Sequence, residues 1–588
     1  MKVRVSALIT LLGAAWLYGQ PKAGGADTLL RAMQDELARC GLLRIVEPPY
    51  FVEYAVDDAE QHSASASLGA LLHRNQTRFR LPRVQVRVGS YQLDNTNFLL
   101  AESYSGARYE VDRLPLEDSY WVLRRHFWLA TDMAYKAALE GFSRKRAALR
   151  SLSTSDQLPD FYRAPPVQLL ESAALPAVDA AAWTERVRRV SAVFVNYPKV
   201  IGSVVDYTAS RDVFYLANSE GTQVREPSGV MFVRIRATSQ AGDGMLLRDA
   251  VVLHTRDLRR APNEGQLQQA AQEVARNLSE LAEAPVCEPY TGPVLFEAEA
   301  AGQLFAQLLG RNLAAVRRPL MPPGKSLPIR TSELEGRIGV RILPEWMDAI
   351  DDPTAKEHNG RPLFGHYRVD LEGVPAQRVT VVEKGVLKSY LLTRQPIRGF
   401  QGSNGHARLP GGFGAKAAAI SNLFVRSAEA VSLSELKKKL IELCRQRGKP
   451  YGMLVRKMDF PSSATWEEAR RMLEGAGGGG GISPPVLLYR VHADGREELV
   501  RGMRFRNLNA RSLRDILAAS HELHVFDYLE NGAPFALMGA AGYVAECSVV
   551  APSVLIDDLE LERAEEQFTR PPLVPPPPLA ILNSRLVR

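Results

Sequence analysis

Two carboxylates open an otherwise apolar stretch, FEAEAAGQLF at residues 296–305, directly after the turn-like Pro289-Tyr290-Thr291-Gly292-Pro293. The alanine- and leucine-rich continuation predicts a helix whose first turns carry Glu297 and Glu299. Acids at a helix start are stabilised by the macrodipole, and small residues let a second backbone pack closely, so structure alone can account for the pattern. The same residue types also suit a catalytic or metal site, with a glutamate as general base. On an ideal helix Glu297 and Glu299 diverge by about 200°, so the two do not readily clasp one ion.

Other chemistry-bearing patterns are weaker. The ten histidines include no HExxH. His521 and His524 form an i, i+3 pair, where RSLRDILAASHELHVFDY is expected to pass from helix to strand, and chance accounts for them. The segment DAIDDPTAKEHNGRPLFGHYRVDLEG holds Asp348, Asp351, Asp352, Asp370 and Glu372 with His358 and His366, yet lacks the alternating ligands and central glycine of a calcium loop. No GxSxG elbow anchors a hydrolase triad. The glycine-rich EGAGGGGGIS at 474–483 has no Lys-Ser/Thr after it and reads as a flexible loop.

The elements that must position any site follow from composition and periodicity. The chain has 588 residues, enough for several domains, and a net charge of +7 with no basic run interleaved with aromatics, so nucleic acid is not an expected partner. The four cysteines lie far apart without a CxxC pair, and Cys444 falls on the apolar stripe of the helix SLSELKKKLIELCRQRG. Residues 1–26 have a basic start, a short apolar run and small residues, the layout of a secretory signal peptide. Export to the periplasm or beyond, with no stable membrane span, is expected.

The fold class expected is α+β. A mixed α/β region with antiparallel strands covers 27–285, with helices near 117–150, 178–191 and 264–283 and a Pro/Ser-rich linker at 151–175. A largely antiparallel-β domain covers 286–562, including the hairpin RVTVVEKGVLKSYLL turning at Gly385. Residues 563–588 form a Pro-rich tail.

Motifs in the second domain occur in a telling order: DLEGVPAQR, GVLKSYL, GSNGHAR and SNL, followed by VRGMRF. Together they resemble the TldD/PmbA family of metallopeptidase-like proteins over roughly 285–560. In the family's active branch the helix reads H-E-A-x-G-H, with histidines binding zinc, the glutamate activating water and a cysteine near the C-terminus as third ligand. Here that motif falls on Ala298-Glu299-Ala300-Ala301-Gly302-Gln303: the glutamate and glycine persist and both histidines are replaced.

The resemblance therefore implies Glu299 as the surviving catalytic position, Cys547 as a weak metal candidate and no zinc unless the site is rebuilt. It further implies a cleft for unfolded peptide lined by Asn404, His406, Arg408, Asp370 and Glu372. The family's pairing habit implies a homodimer, or a heterodimer with an active TldD-like subunit. The expected role is peptide binding or partnership in peptide processing. The alternative is a divergent metallopeptidase using Glu299 as base, with metal held by Cys547, Glu297, His406 or His366.

Overall fold

The computed structural model describes residues 27–44, 46–98, 114–151, 158–321, 332–411, 414–461, 482–531 and 544–564, with Pro572 and Val574. The signal-like start, the glycine-rich 474–481 and nearly all of the Pro-rich tail lie outside them. Among the described residues no helix is long and apolar enough to cross a membrane.

The architecture is α+β, with mostly antiparallel strands in two large sheets. The first sheet has six strands drawn from residues 49–255. Its longest members, Pro49–Ser67 and Ala70–Val88, form a single hairpin turning at Leu68-Gly69, where both residues have positive φ. The sequence suggests three shorter strands here. The polar stretches around His62 and Thr77 show no alternation, yet the ladder runs through them, with His62 opposite Gln76 and Gln61 opposite Thr77.

Four helices cover one face of this sheet. α1 (Thr28–Arg39) is capped by the Asp27 carboxylate, and it packs with α2 (Tyr120–Ser151) on Val52, Tyr54 and Val56. α3 (Ala180–Ser191) and α4 (Glu264–Glu283), the latter opened by an Asn263/Gln266 capping box, pack on Val205, Tyr207 and Val233. The opposite face is polar: the buried Arg87 donates to the Gly414 carbonyl at 2.9 Å, so this face meets the second half of the chain.

The presumed linker is partly structured. Gln168–Leu170 pairs with the strand Gln223–Gln240, and Phe161 is buried with the Arg87 and Arg394 guanidiniums 3.7 and 4.0 Å from its ring centroid. Such cation–π contacts hold the segment where proline content alone predicted an extended connector.

The second sheet has twelve strands from residues 290–563. Its central strand Tyr290–Phe296 lies antiparallel to Val544–Arg563 and parallel to Tyr451–Met458. Alternate residues of that strand face opposite ways: Val294 and Phe296 join the core beneath α5 (Glu299–Leu308), whereas Leu295 meets α6 (Leu433–Gln446). The expected hairpin is present, Val379–Glu383 with Val386–Leu387, with Lys384 and Gly385 both at positive φ in its two-residue turn.

One segment differs from expectation. RSLRD forms only a 3-10 turn, Ala510–Asp515, and the strand Ile516–Asn531 starts at once. Helix-favouring ILAAS is overridden because Val544–Arg563 offers it a ladder partner along most of its length.

Candidate functional site

The backbone leaves the central strand in a tight turn before α5. Glu297 donates its N–H to the Val455 carbonyl at 2.9 Å, and Ala298 donates to the Ser553 hydroxyl at 2.9 Å. Ala298 has φ of 45°, a left-handed conformation that disfavours a β-carbon, and it supplies no side-chain cap. The helix therefore begins at Glu299, not at Glu297. Glu297 turns to the other side of the sheet, where Arg456 at 2.9 Å and Lys437 at 3.8 Å hold it. The two carboxylates are separated even more thoroughly than helical geometry required.

Glu299 points into a cleft of about 990 Å³ between the two halves of the chain. One wall is the strand Leu246–Thr255, which pairs on one edge with Gln223–Gln240 and leaves its other edge without a strand among the described residues. The opposing wall includes His524–Asp527 of Ile516–Asn531, a strand paired with Val544–Arg563 on one edge and, only at Ala519 and Ser520, with Ala430–Val431; among the described residues no second strand pairs with 524–527. Phe460 and Phe526, with ring centroids 5.1 Å apart, make an apolar end beside the helix. Gly302 is required here, since a β-carbon would lie 2.6 Å from Phe526 Cβ.

The helix is docked by its glutamines. Gln303 accepts from the Met458 N–H at 2.7 Å and donates to Glu299 Oε1 at 3.0 Å; Gln307 accepts from the Ser483 N–H at 2.9 Å. Both ends of the Gln303 amide are thus committed. Beside them Lys457 Nζ lies 2.6 Å from Asp249 Oδ1, and Asn277 donates to the other Asp249 oxygen at 2.9 Å. Burial alone would lower the Lys457 pKa; Asp249 and Glu299 outweigh it and hold the ammonium charged. The protein surrounding Glu299 pushes its carboxyl up, with Lys457 opposing and Asp249 adding to the shift.

This donor set does not fit zinc. Ala298 has no ligand atom, the Gln303 carbonyl is already engaged, and the cation beside Glu299 is Lys457. Among the described residues no group of three His, Cys, Asp or Glu side chains converges on a metal-sized point.

Of the histidine pair dismissed from sequence, His524 lines the cleft; apart from Glu299, the site residues that the resemblance implied lie elsewhere, and none of them lines it. His406 is fully buried between Asp351, 3.0 Å from Nε2, and the Asn404 carbonyl, 2.9 Å from Nδ1. Asn404 ties two backbone segments, accepting from the Leu392 N–H at 2.7 Å and donating to the Tyr390 carbonyl at 2.9 Å. Arg408 stacks 4.6 Å from the Tyr367 ring centroid and donates to the Ile420 and Glu546 carbonyls at 2.8 and 2.6 Å.

Asp370 accepts three backbone N–H groups, from Glu372, Val374 and Ala407, while Glu372 accepts from the Arg394 N–H at 2.6 Å. Burial, then the Glu372 charge, push Asp370 up to about 8. Cys547 is fully buried, its thiol 3.2 Å from the Ile420 carbonyl, and burial pushes it far above the ordinary thiol range. His366 Nδ1 lies 2.8 Å from the Pro353 carbonyl, and burial lowers its pKa. These side chains form an interior polar layer, not a peptide-lined wall.

The sequence reading passed over Asp249 and Lys457. Their signal is a charge inside an apolar strand, MLLRDAVVLH and YGMLVRKMDF, which demands a buried partner.

Comparison with known proteins agrees with the architecture. A family described as the PmbA/TldA metallopeptidase C-terminal domain matches residues 289–447. Proteins named metalloprotease from Archaeoglobus fulgidus, 40% identical over 78 residues, and from Methanothermobacter thermautotrophicus, 34% over 102 residues, are similar. Those matches cover 13% and 17% of this chain but only 17% and 19% of the relatives' length.

Solved structures extend the likeness of fold. A candidate DNA gyrase modulator of Thermotoga maritima gives a TM-score of 0.57 at 15% identity, over 90% of this chain and all of the other. TldE of Thermococcus kodakarensis gives 0.55 at 14%, again over 90% and 100%. Motif order, matched domain and fold agree: residues 289–447 carry a domain of the PmbA/TldA metallopeptidase C-terminal type, and α5, which opens within it, has alanine at 298 and glutamine at 303 on either side of Glu299.

Proposed function

We propose that this chain is a peptide-binding member of its family that takes part in peptide processing without a zinc ion of its own, as a homodimer or as the partner of an active relative. The observation that carries the reading is the cleft: about 990 Å³ in volume, flanked by the edge of Leu246–Thr255 and by residues 524–527, neither of which pairs with a second strand among the described residues, with α5 reaching it from the core. An extended peptide laid against Leu246–Thr255 gains backbone hydrogen bonds whatever its sequence, which suits unfolded chains.

Hydrogen–deuterium exchange tests this directly. Unstructured peptides should slow exchange over 248–255 or 523–527; saturation without protection of either segment overturns strand addition.

Glu299 in the cleft favours one alternative, hydrolysis with that carboxylate as base. Peptide cleavage by purified chain, abolished in Glu299→Gln, would establish it. Absence of cleavage together with peptide binding supports the binding role.

A further inference from the structure

Three charged pairs along the cleft neutralise one another: Lys457 with Asp249 at 2.6 Å, Arg248 with Asp459 at 2.5 Å, and Arg361 with Asp527 at 2.7 Å. Glu299 stands outside this pairing. It is exposed to the cleft, and its hydrogen bond comes from the neutral Gln303 amide at 3.0 Å. The nearest cation, Lys457, has its ammonium committed to Asp249. The helix terminus favours an acid at this position, yet that alone does not explain the strained backbone that aims it. Ala298 holds a positive φ without being glycine, a conformation that its β-carbon disfavours. Among the described residues Glu299 thus accepts a hydrogen bond on one oxygen only, and Lys457, the cation beside it, is already paired with Asp249.

We propose that Glu299 is the receptor for a primary ammonium of the bound peptide, its N-terminal amine or a lysine close to that end. An ammonium suits the geometry better than a guanidinium. One carboxylate oxygen is occupied by Gln303, and a bidentate guanidinium needs both. Peptide anchored there places its first side chain beside Phe460 and Phe526 and its following backbone along the open strand edges. The inference rests on the peptide-binding reading and adds a polarity to it: one end of the peptide is held at α5.

The test compares three extended peptides, labelled at the C-terminus and titrated by fluorescence anisotropy. One has a free amine and no lysine, the second is its N-acetylated form, and the third is acetylated with lysine at the second position. The free-amine peptide should bind about tenfold more tightly than the acetylated one, the worth of a charge-assisted hydrogen bond. Glu299→Gln should abolish that difference while leaving the weaker binding and the melting temperature in place. If the lysine peptide matches the free-amine peptide, the side chain supplies the ammonium and the receptor role stands. Equal binding of all three to the native protein overturns the proposal, as does discrimination that survives in Glu299→Gln. If none of the three binds, the peptide-binding reading itself has failed.

Discussion

Lys457 and Asp249 meet at 2.6 Å across the boundary between the two halves of the chain, both side chains almost wholly out of water. The contact joins the strand Tyr451–Met458 of one sheet to Leu246–Thr255 of the other, at the end of the cleft where α5 begins. Breaking one partner strands the other as a buried charge. Lys457→Met should destabilise the protein by about 3–5 kcal/mol in chemical denaturation. Combining it with Asp249→Asn should recover most of that loss. A double variant as unstable as the single one would show that the pair holds the halves in register.

Stability should fall as pH rises. Asp370 and Asp212 are both pushed up to about 8, in each case first by burial and then by a neighbouring carboxylate, Glu372 for the one and Asp57 for the other. Their unfolded values are those of ordinary aspartates, about 4. Between those limits the native state binds more protons than the unfolded chain, so stability is full below the unfolded value and is lost as pH climbs through the folded one. Urea midpoints should therefore decline from about pH 4 to about pH 8 and level off above that. Asp212→Asn, which mimics the protonated acid, should flatten the slope; an unchanged slope would remove Asp212 from the account.

Gly302→Ala should lower the melting temperature despite alanine's better helix propensity. The gain is about 1 kcal/mol, whereas forcing a β-carbon to 2.6 Å from Phe526 costs about 1–3 kcal/mol. Pairing it with Phe526→Leu should not restore that stability, because leucine keeps the β-carbon that the new methyl group meets.

Metal should neither stabilise nor be needed. Chelator should leave the thermal transition in place, and added zinc should not raise it in the concentration-dependent way that native-state binding requires. Gln303→His should not change this, because one histidine beside Lys457 builds no site, and the variant should lose stability by leaving the buried Met458 N–H without its acceptor. A zinc-dependent rise in the melting temperature of the native chain would overturn the zinc-free reading.

All four cysteines are buried, and burial raises each thiol. None should react rapidly with a thiol reagent in the native protein, while all should react in denaturant. Fast labelling of Cys547 alone, read by mass spectrometry, would place it at an open site and revive it as a ligand.

Much of the fold was legible because local signals agreed. Asn263/Gln266 and Ser432/Glu435 mark helix starts, Lys384-Gly385 marks a turn, and alternation at Val84, Val86 and Val88 marks the end of the long hairpin. Local signals failed at Ile516–Asn531, where the deciding interaction lies with a strand beyond it in sequence. The same limit applies to the site. Glu299 was visible as an acid in a motif. The motif residues His406, Arg408, Asp370 and Glu372 suggested a ligand surface, yet their hydrogen bonds go to backbone groups and to Asp351 and Glu546 inside the protein. Sequence shows that such polar groups matter without showing whether they face a ligand or the core. Asp249 and Lys457 sit about 200 positions apart in the chain and become a site only through the packing of one sheet on the other.

The placement of the central strand has a consequence for the order of assembly. Tyr290–Phe296 is flanked by Tyr451–Met458 and Val544–Arg563, both synthesised long after it. Pairings so distant in sequence are slow to form, because loop closure must precede the contacts that reward it. On the ribosome α5 has no finished floor until the last long strand emerges, so the cleft is among the final features of the molecule to exist. Until then the apolar faces of Val294, Phe296 and Leu295 lack their cover, so the nascent chain exposes them to other chains for most of its synthesis.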